Sequence, residues 1–598
     1  MSEVLKLRKR NEIPDKYKWS IEKIYPDVSA WGKDFSYLKE ILPEIKKYSG
    51  KLGKASELLA YLKLDEKISR LTEKLSVYTH LRSDEDTANT EYQALMNKMD
   101  MYIPEIKSAG VFFVPELLSL PEGTVQKEIE EEPSLKMYRF MLQNILKQKP
   151  HVLSKEKEEL MAQVSDCLDG PSNIFNMLSN ADMTFPVIKN EENQDVELTE
   201  GNYISFIRSR NREVREEAFK SLFNTYGKYK NTFAASLTSS MKNFIFKSKV
   251  RNYGGALESA LEPNNIPTQV FQNTINTIDN NLESLHRYVK IKKKLLGLND
   301  IHMYDLYVPL IDVPKAHIEF EGALKIAEEA LKPLGKEYMD IFKSGIKEGW
   351  VDIYQNKGKA SGAYSSGCYD TQPYVLLNYN YEEDDVSTLV HEMGHSIHSY
   401  YSKENQPYIY WDYSIFCAEV ASTCNENLLI HYLIKNEKDK KRKLYLINDE
   451  LEKIRTTIFR QAMFAEFEKI THENLEKGIP LTSEDLCRIW HELNARYFGE
   501  DMIIDKEIDM EWARIPHFYR DFYVYQYATG YAAAYSFANM MLEGGENSVE
   551  RYKSFLKSGG SDYPINELKS AGVDMTTPEP LIKCIRRFNE LLDMLENI

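Results

Sequence analysis

The sequence predicts a mostly α-helical protein: a large multi-helical body with a small β-sheet beside one particular helix. Three observations lead there. From about residue 14 to 180, apolar side chains recur at helical spacing, broken only by Pro, Gly and Asp punctuation. Only two stretches, around Thr184–Thr199 and Gly362–Tyr381, have the texture of short strands. Between Asp384 and His398, the residues Val386, Leu389, Val390, Met393 and Ile397 line one face of a helix, with Asp384 or Asp385 as its expected N-cap.

Taken in order, the chain predicts helices over Val28–Tyr48, Glu57–Arg82, Glu91–Ser108 and Ser154–Leu168. The mixed charges of Lys155–Glu159 mark a solvated helix face. A hairpin follows, with Thr184–Ile188 and Val196–Thr199 flanking a polar tip, and a domain boundary is expected there. This gives an N-terminal helical domain over 1–190 and a second domain over 191–598. Helices resume at Arg210–Tyr229 and Ala234–Arg251, and Gly254-Gly255 and Glu262–Pro267 are turns. Before the Asp384 helix, Tyr364–Ser366 and Tyr374–Tyr379 form two short strands with an edge that an extended chain could join by β-augmentation.

Composition excludes several classes. The 598 residues carry a net charge of -16, so no cationic excess exists to drive phosphate binding, and no nucleic-acid partner is expected. No apolar run is long enough for a membrane span. The basic cluster Lys6, Arg8, Lys9, Arg10 is followed by Asn11–Pro14 and not by a secretory apolar region. Six scattered cysteines without CxxC pairs point to a reducing cytoplasm, with Cys417 and Cys424 serving as small packing residues.

The chemistry centres on His391-Glu392-Met393-Gly394-His395. Histidines four apart on a helix project from one face and can grip one zinc ion, and Glu392 can act as base toward a water on that metal. A catalytic zinc needs a third protein ligand. A His ten residues after His391 would supply it in the metzincin pattern, but position 401 is Tyr. The alternative is a glutamate on Cys417–Ile430, where Glu419 stands among Ala418, Val420 and Ala421. Burying that carboxylate uncompensated is costly, and a metal removes the cost. Glu426, two turns on, is either an acceptor that orients one histidine or a partly solvated helix acid. His398 is a pocket or packing residue, since a fourth ligand would close the water position.

Downstream, Arg514–Tyr531 concentrates His517 and several tyrosines, hydroxyl-rich enough for a polar pocket whose donors could stabilise an oxyanion. His491-Glu492 begins like the metal motif but lacks its second histidine, and Arg514 and Arg520 are expected in surface salt bridges.

His391–His395, Phe416–Ser422 and the His517 tract, in that order, resemble the thimet-oligopeptidase-like family of zinc peptidases, and within it the oligoendopeptidase F group. The resemblance implies a helical body with a deep channel around one zinc ion held by His391, His395 and Glu419. It implies cleavage of internal bonds of short oligopeptides, with Glu392 as base and with His517 and one or two tyrosines as donors to the oxyanion, Tyr523 and Tyr527 matching best and Tyr525 in reserve. Gly362, Ala363, Tyr364 and Tyr525 are expected to contact the peptide. Alternatives on the same scaffold are a dipeptide-releasing exopeptidase and a peptide-binding protein with a relic site.

Overall fold

The computed structural model describes residues 7–311, 316–545 and 547–597; Lys6 of the basic cluster lies outside them. Among these residues β-structure is confined to two two-stranded pairs and one three-stranded sheet, and the rest is helices and their connections. The mostly α expectation holds.

The chain forms two compact units, each discontinuous in sequence. The first comprises Met1–Pro150, Lys315–Tyr432 and Phe537–Gly572; the second comprises His151–Pro314, Leu433–Ser536 and Val573–Ile598. The compact units therefore do not follow the division expected near residue 190. That position lies inside the second unit, at the tip of an antiparallel hairpin of Val187–Lys189 and Asp195–Glu197 with Ile188 opposite Val196.

In the first unit the N-terminal helices are set by local chemistry. Val28–Ile41 begins where Asp27 accepts a hydrogen bond from the Ala30 N–H at 2.8 Å. The expected continuation to Tyr48 instead tightens into a 3-10 helix over Leu42–Tyr48, because Pro43 has no N–H to continue the ladder. Ala55–Glu85 and Thr90–Ala109 follow, the latter capped by Asn89. Their apolar faces bury Trp19, Trp31, Tyr61, Tyr78 and Leu142 in one core, which Tyr374 and Leu376 join.

Those last two residues belong to the sheet. Tyr374–Leu376 lies in its centre, antiparallel to Tyr364–Ser366 and parallel to the two-residue strand Val351–Asp352, which is too short to register in the sequence. Tyr364–Ser366 is thus an edge strand. A buried ion network fastens the sheet to the N-terminal helices: Asp352 accepts from Arg10 Nη1 at 2.7 Å and pairs with Lys359 Nζ at 2.7 Å, while Arg10 also reaches Glu85 at 2.9 Å. Such a network is fully compensated, and removing one partner strands the others in the interior.

The second unit is helical apart from the hairpin and the paired residues Ile301–His302 and Met502–Ile503. Lys155–Met177 runs nine residues past its expected end, through Pro171, and closes in a π turn at Leu178–Asp182. Buried Trp490, Phe464, Phe467 and Phe518 pack edge-on and tilted, and Arg587 forks onto Glu450 through two 2.8 Å bonds.

Candidate metal centre and active site

The helix bearing the histidine pair runs Glu383–Asn405. Its N-cap is Glu382, earlier than expected. Asp385 instead takes the third helical position and accepts from the Glu382 and Asn380 N–H groups, both at 2.8 Å. Glu383, Asp384 and Asp385 place negative charge at the positive end of the helix dipole. Val386, Leu389, Val390, Met393 and Ile397 are fully buried, which fixes the opposite face of the helix.

Glu419 stands on the next helix, Ile415–Asn436. The two helices touch backbone to backbone at Gly394, where a Cβ would lie 2.7 Å from Ser422 Cα and 3.0 Å from Ala421 O. Asn425 ties them again, donating from Nδ2 to Val390 O at 2.8 Å. The mid-helix glycine was the sequence signal of this approach, since Gly costs a helix interior roughly 1 kcal/mol relative to Ala.

This packing brings three ligand atoms together. His391 Nε2 and His395 Nε2 are 3.2 Å apart, and Glu419 Oε2 lies 3.5 Å from each. The three residues form a group able to hold a metal ion. His391 Nδ1–H donates to Glu426 Oε1 at 3.0 Å, which leaves Nε2 with its lone pair toward the other two donors. Burial alone would lower the His391 pKa, but the hydrogen bond and charge of Glu426, with Glu392 and Glu419, raise it above its ordinary value. The hydrogen bond from His395, against the opposing effect of burial, holds Glu419 below the usual carboxylate range. Glu392 is buried beside the group, and desolvation lifts its pKa despite the two histidines.

A cavity of about 520 Å³ opens over these residues. His391, Glu392, His395 and Glu419 line one part of it, and Ala363 with the edge strand Tyr364–Ser366 lines another. Ser365 Oγ and Ser396 Oγ, 2.8 Å apart, fasten that strand to the helix. Gly362 precedes it at φ +86°, a conformation that favours glycine. Tyr364 Oη donates to Asp84 at 2.6 Å. His398 packs flat on Tyr413 with ring centres 3.7 Å apart, and burial drives its pKa down to about 3. Cys417 and Cys424 are buried thiols, and all six cysteines are free.

The second unit holds the downstream tract. His517 Nε2 lies 3.1 Å from Tyr527 Oη, and the Tyr523 and Tyr527 rings meet edge to face at 5.5 Å. Tyr525 does not join them. It is 1% exposed with its ring against Phe271, so it offers no surface to a peptide and leaves the expected contact set. Arg514 pairs with Glu200 and lies over Tyr203, more enclosed than a surface bridge. His491 is held by Asp509 at 2.7 Å, and among the described residues no set of metal-ligating side chains gathers around it.

Residues 205–587 match the family described as Peptidase family M3. The chain belongs to peptidase family M3. Residues 116–185 match a second description, Oligopeptidase F. The M3 chain is 46% identical to oligopeptidase PepF of Bacillus subtilis over 99% of its own length and 89% of that protein. It is 42% identical to the group B oligopeptidase PepB of Streptococcus agalactiae, covering 98% of both. Among solved structures, oligoendopeptidase-F of Enterococcus faecium superposes with a TM-score of 0.73 at 38% identity, over 95% of this chain and 98% of that one. As a member of family M3 the chain is a metalloendopeptidase.

Proposed function

We propose that the protein is a zinc-dependent endopeptidase that hydrolyses internal peptide bonds of short oligopeptides. The observation that carries the zinc reading is the spacing of His391 Nε2, His395 Nε2 and Glu419 Oε2, at 3.2 to 3.5 Å. Ligand bonds of about 2.0–2.2 Å in a tetrahedral shell put neighbouring donors about 3.3–3.6 Å apart. Two imidazoles and one carboxylate also leave a position open, as in catalytic and not structural zinc sites. Zinc bound there supplies Lewis acidity, acidifying a water and polarising the scissile carbonyl.

The chain's own residues do the rest. Glu426 fixes the ring orientation of His391 through the Nδ1–H. Glu392 takes the proton of the attacking water and returns it to the leaving amine nitrogen, a task favoured by its raised pKa. The edge strand Tyr364–Ser366, with Gly362 and Ala363 leading into it, holds the peptide backbone by strand addition. His517, Tyr523 and Tyr527 donate hydrogen bonds to the oxyanion. The restriction to short peptides follows the names of the relatives. Six free cysteines suit a reducing compartment, so the cytoplasm is the proposed location. No described helix is long and apolar enough to cross a membrane.

A peptide blocked at both ends tests the reading. Internal cleavage that stops on chelation and returns with zinc is the expected result, mapped by mass spectrometry. Dipeptide release that requires a free end would establish the exopeptidase alternative, and chelator-insensitive cleavage would overturn the zinc assignment. A second expectation concerns Glu426→Leu. Loss of the acceptor on His391 should weaken zinc affinity roughly 10–100-fold, measured by competition with a chromogenic chelator.

A further inference from the structure

The helix that carries the metal donors continues past them. His391, His395, Ser399 and Lys403 follow one another at four-residue intervals, form a single stripe and all line the 520 Å³ cavity. Lys403 stands two turns beyond His395, about 12 Å along the axis.

The last turn of the helix, where Lys403 stands, favours a cation, but no acidic side chain pairs with this one among the described residues. Among the described residues the ammonium makes one hydrogen bond, donated to the Thr371 carbonyl, and no carboxylate lies within 4 Å of it. Desolvation lowers its pKa, and the charges of Glu404 and Asp370 offset this only in part, since burial keeps the nearby Cys368 thiol neutral. Asp370 is engaged elsewhere, accepting from Arg70 Nε at 2.9 Å. Asp412 lines the same cavity but accepts from the Tyr413 N–H at 3.0 Å and makes no ion pair with Lys403. A half-buried ammonium without a counter-charge is costly, and an anionic ligand would offset that cost.

The strand leads to it. Tyr364–Ser366 lies alongside the helix, fastened at Ser365 and Ser396, and the chain continues through Gly367 to Thr371, the residue on which Lys403 rests. A peptide laid along this strand and reaching from the metal donors to Lys403 spans about 12 Å, or about three to four residues at roughly 3.3 Å each.

We propose that Lys403 forms a subsite for a carboxylate of the peptide, about three to four residues from the scissile bond. The proposal rests on the peptidase reading above and adds an acidic preference at a defined distance. Two sources share this chemistry, an Asp or Glu side chain and the C-terminal carboxylate.

The test is a set of peptides with Glu or Gln placed two to five residues to either side of the cleaved bond, each as free acid and as amide. The zinc-loaded wild type, Lys403→Met and Lys403→Arg are compared on all of them. Wild type should prefer the carboxylate at one such position by roughly tenfold or more in kcat/KM, carried by KM. A preference for Glu over Gln assigns the side chain, and a loss on amidation assigns the C-terminus. Lys403→Met should bring that ratio close to one, and Lys403→Arg should retain most of it. Because the ratio is internal to each variant, a partly misfolded preparation does not imitate the effect. Cleavage by wild type without any carboxylate preference, or a preference that survives in Lys403→Met, overturns the subsite alone. Absence of cleavage of every peptide by wild type overturns the peptidase reading and the subsite with it.

Discussion

Glu392→Gln is expected to lower kcat by roughly 10²–10⁴-fold while leaving zinc bound at one ion per chain. Glutamine has the shape of glutamate, so the buried site next to His391 stays filled. It has no basic oxygen able to accept and hold a proton. Glu392 is not among the three converging donors, so metal affinity should change little. Elemental analysis and a quenched-peptide assay on the same preparation separate the two properties. Full activity in this variant would remove Glu392 from the role of base, and loss of zinc would make it a structural residue of the metal centre.

Gly394→Ala should be as damaging by a different route. The added Cβ meets Ser422 Cα at 2.7 Å and the Ser422 nitrogen at 3.0 Å, both backbone atoms that cannot rotate away. Carbon pairs rest at about 3.5–4.0 Å, so the two helices must part by roughly 1 Å. The moving helix carries Glu419, and misplacing a reacting geometry by about 1 Å costs on the order of 10²-fold in rate. The sign of the stability change is diagnostic. In an uncrowded helix, Gly→Ala stabilises by roughly 1 kcal/mol, whereas overpacking costs about 1–3 kcal/mol. A lower Tm together with weaker zinc binding is the expected outcome. A higher Tm with unchanged activity would show that the helices do not meet there.

Much of this was legible in the residues. The periodicity of Val386, Leu389, Val390, Met393 and Ile397 placed the helix that bears the histidine pair, because that signal is local. The apolar neighbours of Glu419 predicted a buried carboxylate, whereas its side chain is 54% exposed beside the two histidines, because the neighbours turn to other faces of the helix. What failed depended on distant partners. The helix cap fell on Glu382 because Asp385 was already committed to the Glu382 and Asn380 N–H groups. Tyr525 was indistinguishable from Tyr523 and Tyr527 in a tyrosine-rich run, and only Phe271, more than 250 residues earlier, decides that it faces inward. Lys403 carried a readable signal, two turns from His395 on the same stripe, but a lysine in a helix is ordinarily a solvated one. The composition of the two units was not readable at all, since it consists of contacts between segments that share no local pattern.

The core that joins Trp19, Trp31, Tyr61 and Tyr78 to Tyr374 and Leu376 has a consequence for biosynthesis. The N-terminal helices leave the ribosome well before the strand that completes their interior. At about 5–20 residues per second, the interval from residue 150 to residue 376 is roughly 10 to 45 s. For that time a nascent chain carries a helical layer whose apolar side is covered only in part. Stalling or shortening translation within this window should expose the chain to proteases and holding chaperones, and the unit that bears His391, His395 and Glu419 would be the casualty.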